Sequence, residues 1–192
     1  MTVRTLVSAK VDGSDGYFEL ASILQFWSEA GPKRWFTKDV QFDIEFRGRY
    51  LEHHLAAAAR KLDSWSETAS GSLALVILLD QFPRNAFRDT AHMFATDTLA
   101  RNYASRALSR GLDEYVAAEL RLFLYLPFMH SENVADQERS LELHQRVGHA
   151  EYAAQHRDII LRFGRFPHRN AVLGRESTPE EQACLDAGGF SG

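Results

Sequence analysis

The chain has 192 residues, 45% hydrophobic and 25% charged, with a formal net charge of -4. That composition belongs to an ordinary globular protein and speaks against a general nucleic-acid binder, and the length suits one domain whose core needs no staples. The single cysteine, Cys184, excludes an internal disulfide and any multi-cysteine metal site.

Residues 1–15 read as a loose or strand-like leader, without the apolar core of about 7–15 residues that marks a signal peptide. A single all-helical domain is expected over 16–186, and a flexible tail over 187–192. No stretch approaches the ~18 apolar residues of a membrane span. The longest apolar run, "LRLFLYLPFM", carries Arg121 and Pro127. A cytoplasmic, reducing setting follows.

From residue 16 onward the apolar period is helical. "DGYFELASILQFW" sets Phe18, Ala21, Ile23 or Leu24, and Trp27 on one face. Residues 40–62 repeat apolar positions at Phe42, Phe46, Tyr50, Leu55, Ala58 or Ala59, and Leu62. "GSLALVILLDQF" is apolar all round and fits a fully buried central helix, with a buried strand as the alternative. Pro83 is expected to stop that helix near Gln81 or Phe82.

The clearest helix runs from Asp97 to Arg110, with Thr96 or Asp97 at its start and Gly111 free to take a left-handed position after its end. Helices over 114–126, about 133–147 and 149–163 follow. Pro127 is expected to bend the chain out of its apolar run. Tyr152, Ala153, His156, Ile159, Ile160 and Phe163 share one face of the 149–163 helix. In "TPEE", Thr178, Pro179 and Glu181 spell a capping box. About eight helices with short connections indicate an all-α fold, either a bundle or a short α–α superhelix.

Several polar stretches interrupt this pattern. Asp80 sits at the C-terminal end of an apolar helix, where the dipole disfavours a carboxylate, so a cation is required, most simply Arg84. The two either fix the helix exit as a buried pair or face a cleft with Gln81 and Asn85. In "PFMHSENVADQE", Ser131 or Asn133 can cap the next helix. Alternatively His130 and Glu132 form an acid–base pair, with Gln137 one turn on. His156 is either a hydrogen-bonded core histidine or part of the same site, with Arg157 on the polar side of its helix.

The stretch "RFGRFPHRN" at 162–170 mounts Arg165, His168, Arg169 and Asn170 on a stiff loop, with Phe163 and Phe166 as core anchors and Arg175 following. Rigidly held guanidinium groups suit bidentate recognition of a carboxylate or phosphate. An interhelical ion-pair network with Asp80, Glu132 and Glu138 is the alternative. There are eight histidines but no HExxH and no Cys/His ligand spacing, so no metal is expected. No glycine-rich phosphate loop, GxSxG or dinucleotide fingerprint is present, so no cofactor is expected either.

The motifs "FW…RWF…D…FD" (26–43), "LLDQFPRN" (78–85), "FATD" (94–97), "LPFMHSE…DQE" (126–138), "HRDII.RFGRFPHRN" (156–170) and "LGRESTPEE" (173–181) together resemble the bacterial "domain of unknown function 924" family. The likeness spans about residues 17–185. It implies an all-α, tetratricopeptide-like superhelix and no settled activity. The family's shared polar positions correspond to Asp80, Gln81, Arg84, Asn85, His130, Ser131, Glu132, Gln137, His156, Arg157, Arg165, His168, Arg169, Asn170 and Arg175. The leader and Ser28, where an aromatic is common, depart from the pattern.

The leading reading is an arginine- and histidine-lined cleft for a small anionic molecule, carboxylate or phosphate. Any catalysis there would use His130 or His168 as acid or base. Glu132 or Asp80 would orient the histidine, and Arg84, Arg165 and Arg169 would stabilise charge. A tetratricopeptide-like interaction scaffold with a protein partner or a second copy is the rival. Local RNA binding through the Arg/Phe alternation at 162–169 is a third reading.

Overall fold

The computed structural model describes residues 14–189. The expected leader lies almost wholly outside the described residues, as does the tail from 190 onward. Every regular element among the described residues is helical. In chain order these are α1 (Ser14–Trp35), α2 (Val40–Ala58), α3 (Ala69–Val76), α4 (Phe82–Ala86), α5 (Asp97–Ser109), α6 (Ala118–Met129), α7 (Val134–Gln145), α8 (Ala150–Phe163) and α9 (Pro179–Asp186). Single 3-10 turns at Ala91–Phe94 and Pro167–Arg169 lie between them.

The segment from Leu73 to Leu79 is at most 1% exposed. Helix α3 and the turn after it pack against α1, α2, α5 and α6, so the buried-helix reading holds and the strand alternative falls. Rings from several helices interlock around this axis. Trp27 and Trp35 of α1 meet Phe123 of α6 edge-on at 5.2 and 5.0 Å, and Phe46 of α2 meets Phe82 of α4 at 5.0 Å. Such pairs add directional preference to the burial of large apolar surfaces.

Pro83 does not stop the helix. Gln81 (φ -81, ψ -44) and Phe82 (φ -54, ψ -48) are helical, and α4 runs on to Ala86. The chain accommodates the proline by widening over Ile77–Gln81 into a π-type turn, in which the Phe82 N–H donates to the Ile77 carbonyl five residues back. Side chains bond the next four carbonyls. His54 Nδ1 bonds the Leu78 carbonyl at 2.9 Å and Thr96 Oγ1 bonds that of Leu79 at 2.5 Å. Arg84 Nη1 and Asn85 Nδ2 bond those of Asp80 and Gln81, at 2.7 and 2.9 Å. In a regular helix the Leu79 carbonyl is the one that an N–H at position 83 would serve, and proline has none.

Pro127 is likewise absorbed within α6, which continues to Met129. The carbonyls at the end of that helix are met by Gln137 Nε2, at 2.8 Å from the Met129 oxygen and 2.6 Å from the Ser131 oxygen. Helix α6 starts at Ala118, because 112–115 forms a 3-10 turn. Helix α2 buries Phe42, Phe46, Tyr50, His54 and Ala57, whereas Leu55 is exposed. Counting four on from Tyr50 puts His54 inward, and the Leu78 carbonyl satisfies it there. On α8, Tyr152 is exposed and Phe163 only half-buried, so Phe166 alone anchors the following loop in the core.

Local signals fare better. Gly111 and Gly164 take left-handed conformations after α5 and α8 (φ 65 and 70), Asn133 caps α7, and Thr178 with Glu181 forms the reciprocal capping box of α9. Helix α1 breaks at Gly31 (φ 68), followed by Pro32, which turns its last residues across the molecule.

Thr96→Val should lower stability by ~1–3 kcal/mol, the cost of leaving a buried carbonyl unserved. The reading is a reduced urea midpoint with unchanged helical circular dichroism. An unshifted midpoint would mean that Leu79 needs no donor.

Candidate functional site

A cavity of about 630 Å³ is enclosed by α4, the 91–94 turn, α6, α8 and the 167–169 turn, with the end of α1 contributing Pro32, Trp35 and Phe36. Three cationic side chains line it, Arg84, Arg88 and Arg169, together with five of the eight histidines: His130, His144, His149, His156 and His168. Much of the remaining wall is apolar, including Phe94, Leu122, Leu126 and Met129. A second groove, between the 167–171 turn and α9, is more open to solvent.

Behind the polar end lies Asp80, 0% exposed. The π-type turn points its carboxylate at three donors. His130 Nδ1 stands 2.8 Å and Arg84 Nη1 3.3 Å from Oδ1, and Gln81 Nε2 donates to Oδ2 at 2.7 Å. A carboxylate only accepts, so the His130 proton is on Nδ1 and its Nε2 is the acceptor. Arg84 also forks onto Asp97, at 2.9 and 3.0 Å.

Arg169 is held differently. Its guanidinium lies between the rings of Phe94 and Phe166, 4.5 and 4.4 Å from their centroids, with its side chain 8% exposed. The nearest carboxylate oxygen, Asp97 Oδ2, is 3.5 Å away and already engaged by Arg84. The Arg169 Nε–H is buried with no partner among the described residues.

The family model for the bacterial protein of unknown function DUF924 matches residues 23–189. The chain belongs to this family. A solved structure of a protein of unknown function from Agrobacterium tumefaciens is 53% identical, with a TM-score of 0.88, over 90% of this chain and 99% of that one. No curated protein matches.

Of the polar positions singled out from the sequence, Gln81, Arg84, Asn85, His130, His156, His168 and Arg169 line the cavity, and Asp80 supports His130 from behind. The others hold the frame. Glu132 accepts from Arg175 at 2.8 and 3.0 Å and from the Phe166 N–H at 2.8 Å, and it does not line the cavity. The expected His130–Glu132 pair is therefore replaced by His130–Asp80, fifty residues apart. Arg165 forks onto Glu181 at 2.6 and 2.7 Å, and Asn170 Nδ2 reaches Ser177 and the same glutamate. Ser131 receives Arg101 and donates to Asp136, while Arg157 meets Glu138 and Asp158. Gln137 serves the end of α6. Asp97, Phe94 and the aromatic contributions of α1 escaped sequence reasoning. "FATD" contained the first two, with Asp97 read only as a helix start.

The electrostatics follow from burial. Burial alone would raise the Asp80 carboxyl, but Arg84 and His130 outweigh it and hold it down at about 2. Burial and then Arg84 push His130 down to about 4, against the pull of Asp80, so the ring is neutral at pH 7. Burial, reinforced by Arg169, takes His156 and His168 to about 4 as well. Arg169 itself drops to about 10 through burial and the nearby Arg84.

Folded-state values below the unfolded ones mean that the unfolded chain binds more protons between about pH 6.5 and 4, so stability is lost as pH falls through that window. His130 and His156 should each cost about 2 kcal/mol between pH 7 and pH 5. Urea unfolding at both pH values checks this, with a shallower dependence expected for His156→Gln. A midpoint that does not move with pH would show the rings titrating as in a free chain.

Proposed function

We propose that this protein binds a small anionic molecule, carboxylate or phosphate, in the cavity. The observation that carries the reading is Arg169, an almost fully buried cation that lines the cavity and whose one carboxylate neighbour, Asp97, stands 3.5 Å away and is already engaged by Arg84. Removing a cation from water is costly unless it is paired, and a ligand anion would supply the missing partner. His130, with its proton pinned on Nδ1 by Asp80, offers Nε2 as a base for water or for the ligand. Asp80 fills the orienting role. The lone Cys184 and the absence of a long apolar helix among the described residues agree with a cytoplasmic setting.

The scaffold reading draws less support, because the polar set is gathered around one enclosed space instead of spread over a concave face. The RNA reading keeps only Arg162 of the stretch's three arginines exposed. Arg165 is engaged by Glu181, and Arg169 is buried between two rings.

A thermal-shift screen of small anions tests the proposal. Carboxylates or phosphates should raise the melting temperature of the wild type, and Arg169→Gln should weaken their binding by ~1.5–3 kcal/mol, the range for charge-assisted hydrogen bonds. A wild type that no small anion stabilises at millimolar concentration would remove the proposal.

A further inference from the structure

The cavity has two unlike ends, and their order relative to solvent identifies what fits between them. Helix α6 supplies its wall with Leu122, Leu126, Met129 and His130, a spacing that keeps all four on one helical face. Eight residues of helix separate Leu122 from His130, about 12 Å at 1.5 Å per residue. The His130 end is the polar one, with Arg84 and Arg169. The Leu122 end is apolar. Phe36 stacks on Phe123 at 6.1 Å beside it, and Trp35 meets the same ring at 5.0 Å.

The apolar end is also the open one. Phe36 and Tyr152 both line the cavity, yet they are 64% and 62% exposed. Arg169, by contrast, is almost fully buried. Solvent therefore meets Phe36, Tyr152, Pro32 and His149 first, and Arg169 lies inside.

Charge limits the anion. Arg84, Arg88 and Arg169 bring three positive charges, and Asp80, Asp97 and Asp43, which Arg88 holds, three negative ones, so the cluster is balanced before a ligand enters. A dianion would place its second charge near Asp97. A single carboxylate brings one charge to the cavity side of Arg169, whose only carboxylate neighbour is 3.5 Å away.

Resting on the proposed anion site, we infer that the ligand class is an amphipathic monocarboxylate entering head-first, its carboxylate on Arg169 and its apolar chain lying along α6 and leaving past Phe36 and Tyr152. Inorganic phosphate and dicarboxylates are then poor ligands, and short carboxylates are weak ones. An apolar chain is recognised by burial alone, so affinity should rise with its length until it reaches the mouth.

Calorimetry on the full chain with acetate, butyrate, hexanoate, octanoate, suberate and inorganic phosphate tests this. Affinity should increase roughly two- to fourfold per added methylene from acetate to octanoate. Suberate matches octanoate in length but would bury a second carboxylate against Leu122 and Trp35, so it should bind at least about tenfold more weakly. Arg169→Gln should reduce octanoate affinity at least about tenfold. Phe36→Ser, at a rim position 64% exposed, should weaken octanoate by a larger factor than acetate. Equal affinity for acetate and octanoate, or phosphate binding more tightly than either, would overturn this inference and leave the anion site standing. Octanoate binding that Arg169→Gln does not alter would overturn the head-first placement. No binding by any of the six would remove both.

Discussion

A carboxylate with no exposed surface cannot be left alone, and the site is organised around meeting the needs of Asp80. An unpaired ion in that position would cost several kcal/mol. The protein surrounds it with Arg84, His130 and Gln81, each from a different direction. Meeting that need has a chain of consequences. Arg84 carries more donors than Asp80 can accept and takes Asp97 as well. Asp97 is then largely committed when Arg169 approaches, so Arg169 is left short of an acceptor. The incomplete pairing of one arginine thus originates two residues further along the charge network.

The geometry that permits this is the wide turn at 77–81. A regular helix ending at Pro83 would have left Asp80 at an exit, where water could solvate it. Continuing through Pro83 buries the carboxylate and frees carbonyls that His54, Thr96 and the helix's own Arg84 and Asn85 must serve. Pi-type turns often occur at functional sites because they redirect side chains that a regular helix would hold elsewhere.

What could be read from the residues divides along sequence separation. Features decided within four or five residues were legible: the capping box at Thr178–Glu181, the glycines after α5 and α8, and the uniformly apolar α3. The polar positions Arg84, His130, His168 and Arg169 stood out because their types clash with the apolar runs beside them. Their partners did not stand out. His130 lies next to Glu132 in sequence but bonds Asp80, and Glu132 bonds Arg175 forty-three residues away. No periodicity encodes such pairings, which depend on how the helices are stacked. The proline at 83 was misread for a related reason. Its local preference is to end a helix, and distant donors, Thr96 among them, outweigh it.

The 162–170 stretch owes its fixed geometry to two carboxylates. Glu132 grips Phe166 and Arg175, and Glu181 grips Arg165 and Asn170 while capping its own helix. That arrangement has a consequence for synthesis. Chains emerge from the ribosome N-terminus first, and the helices carrying Asp80, Asp97 and His130 can pack before residues 165–181 exist. Until Glu181 is made, Arg165 and Asn170 lack the carboxylate that holds them both. The cavity is therefore among the last parts of the molecule to be completed, and a nascent chain gains its buried cation only once the rest of the fold is ready to receive it.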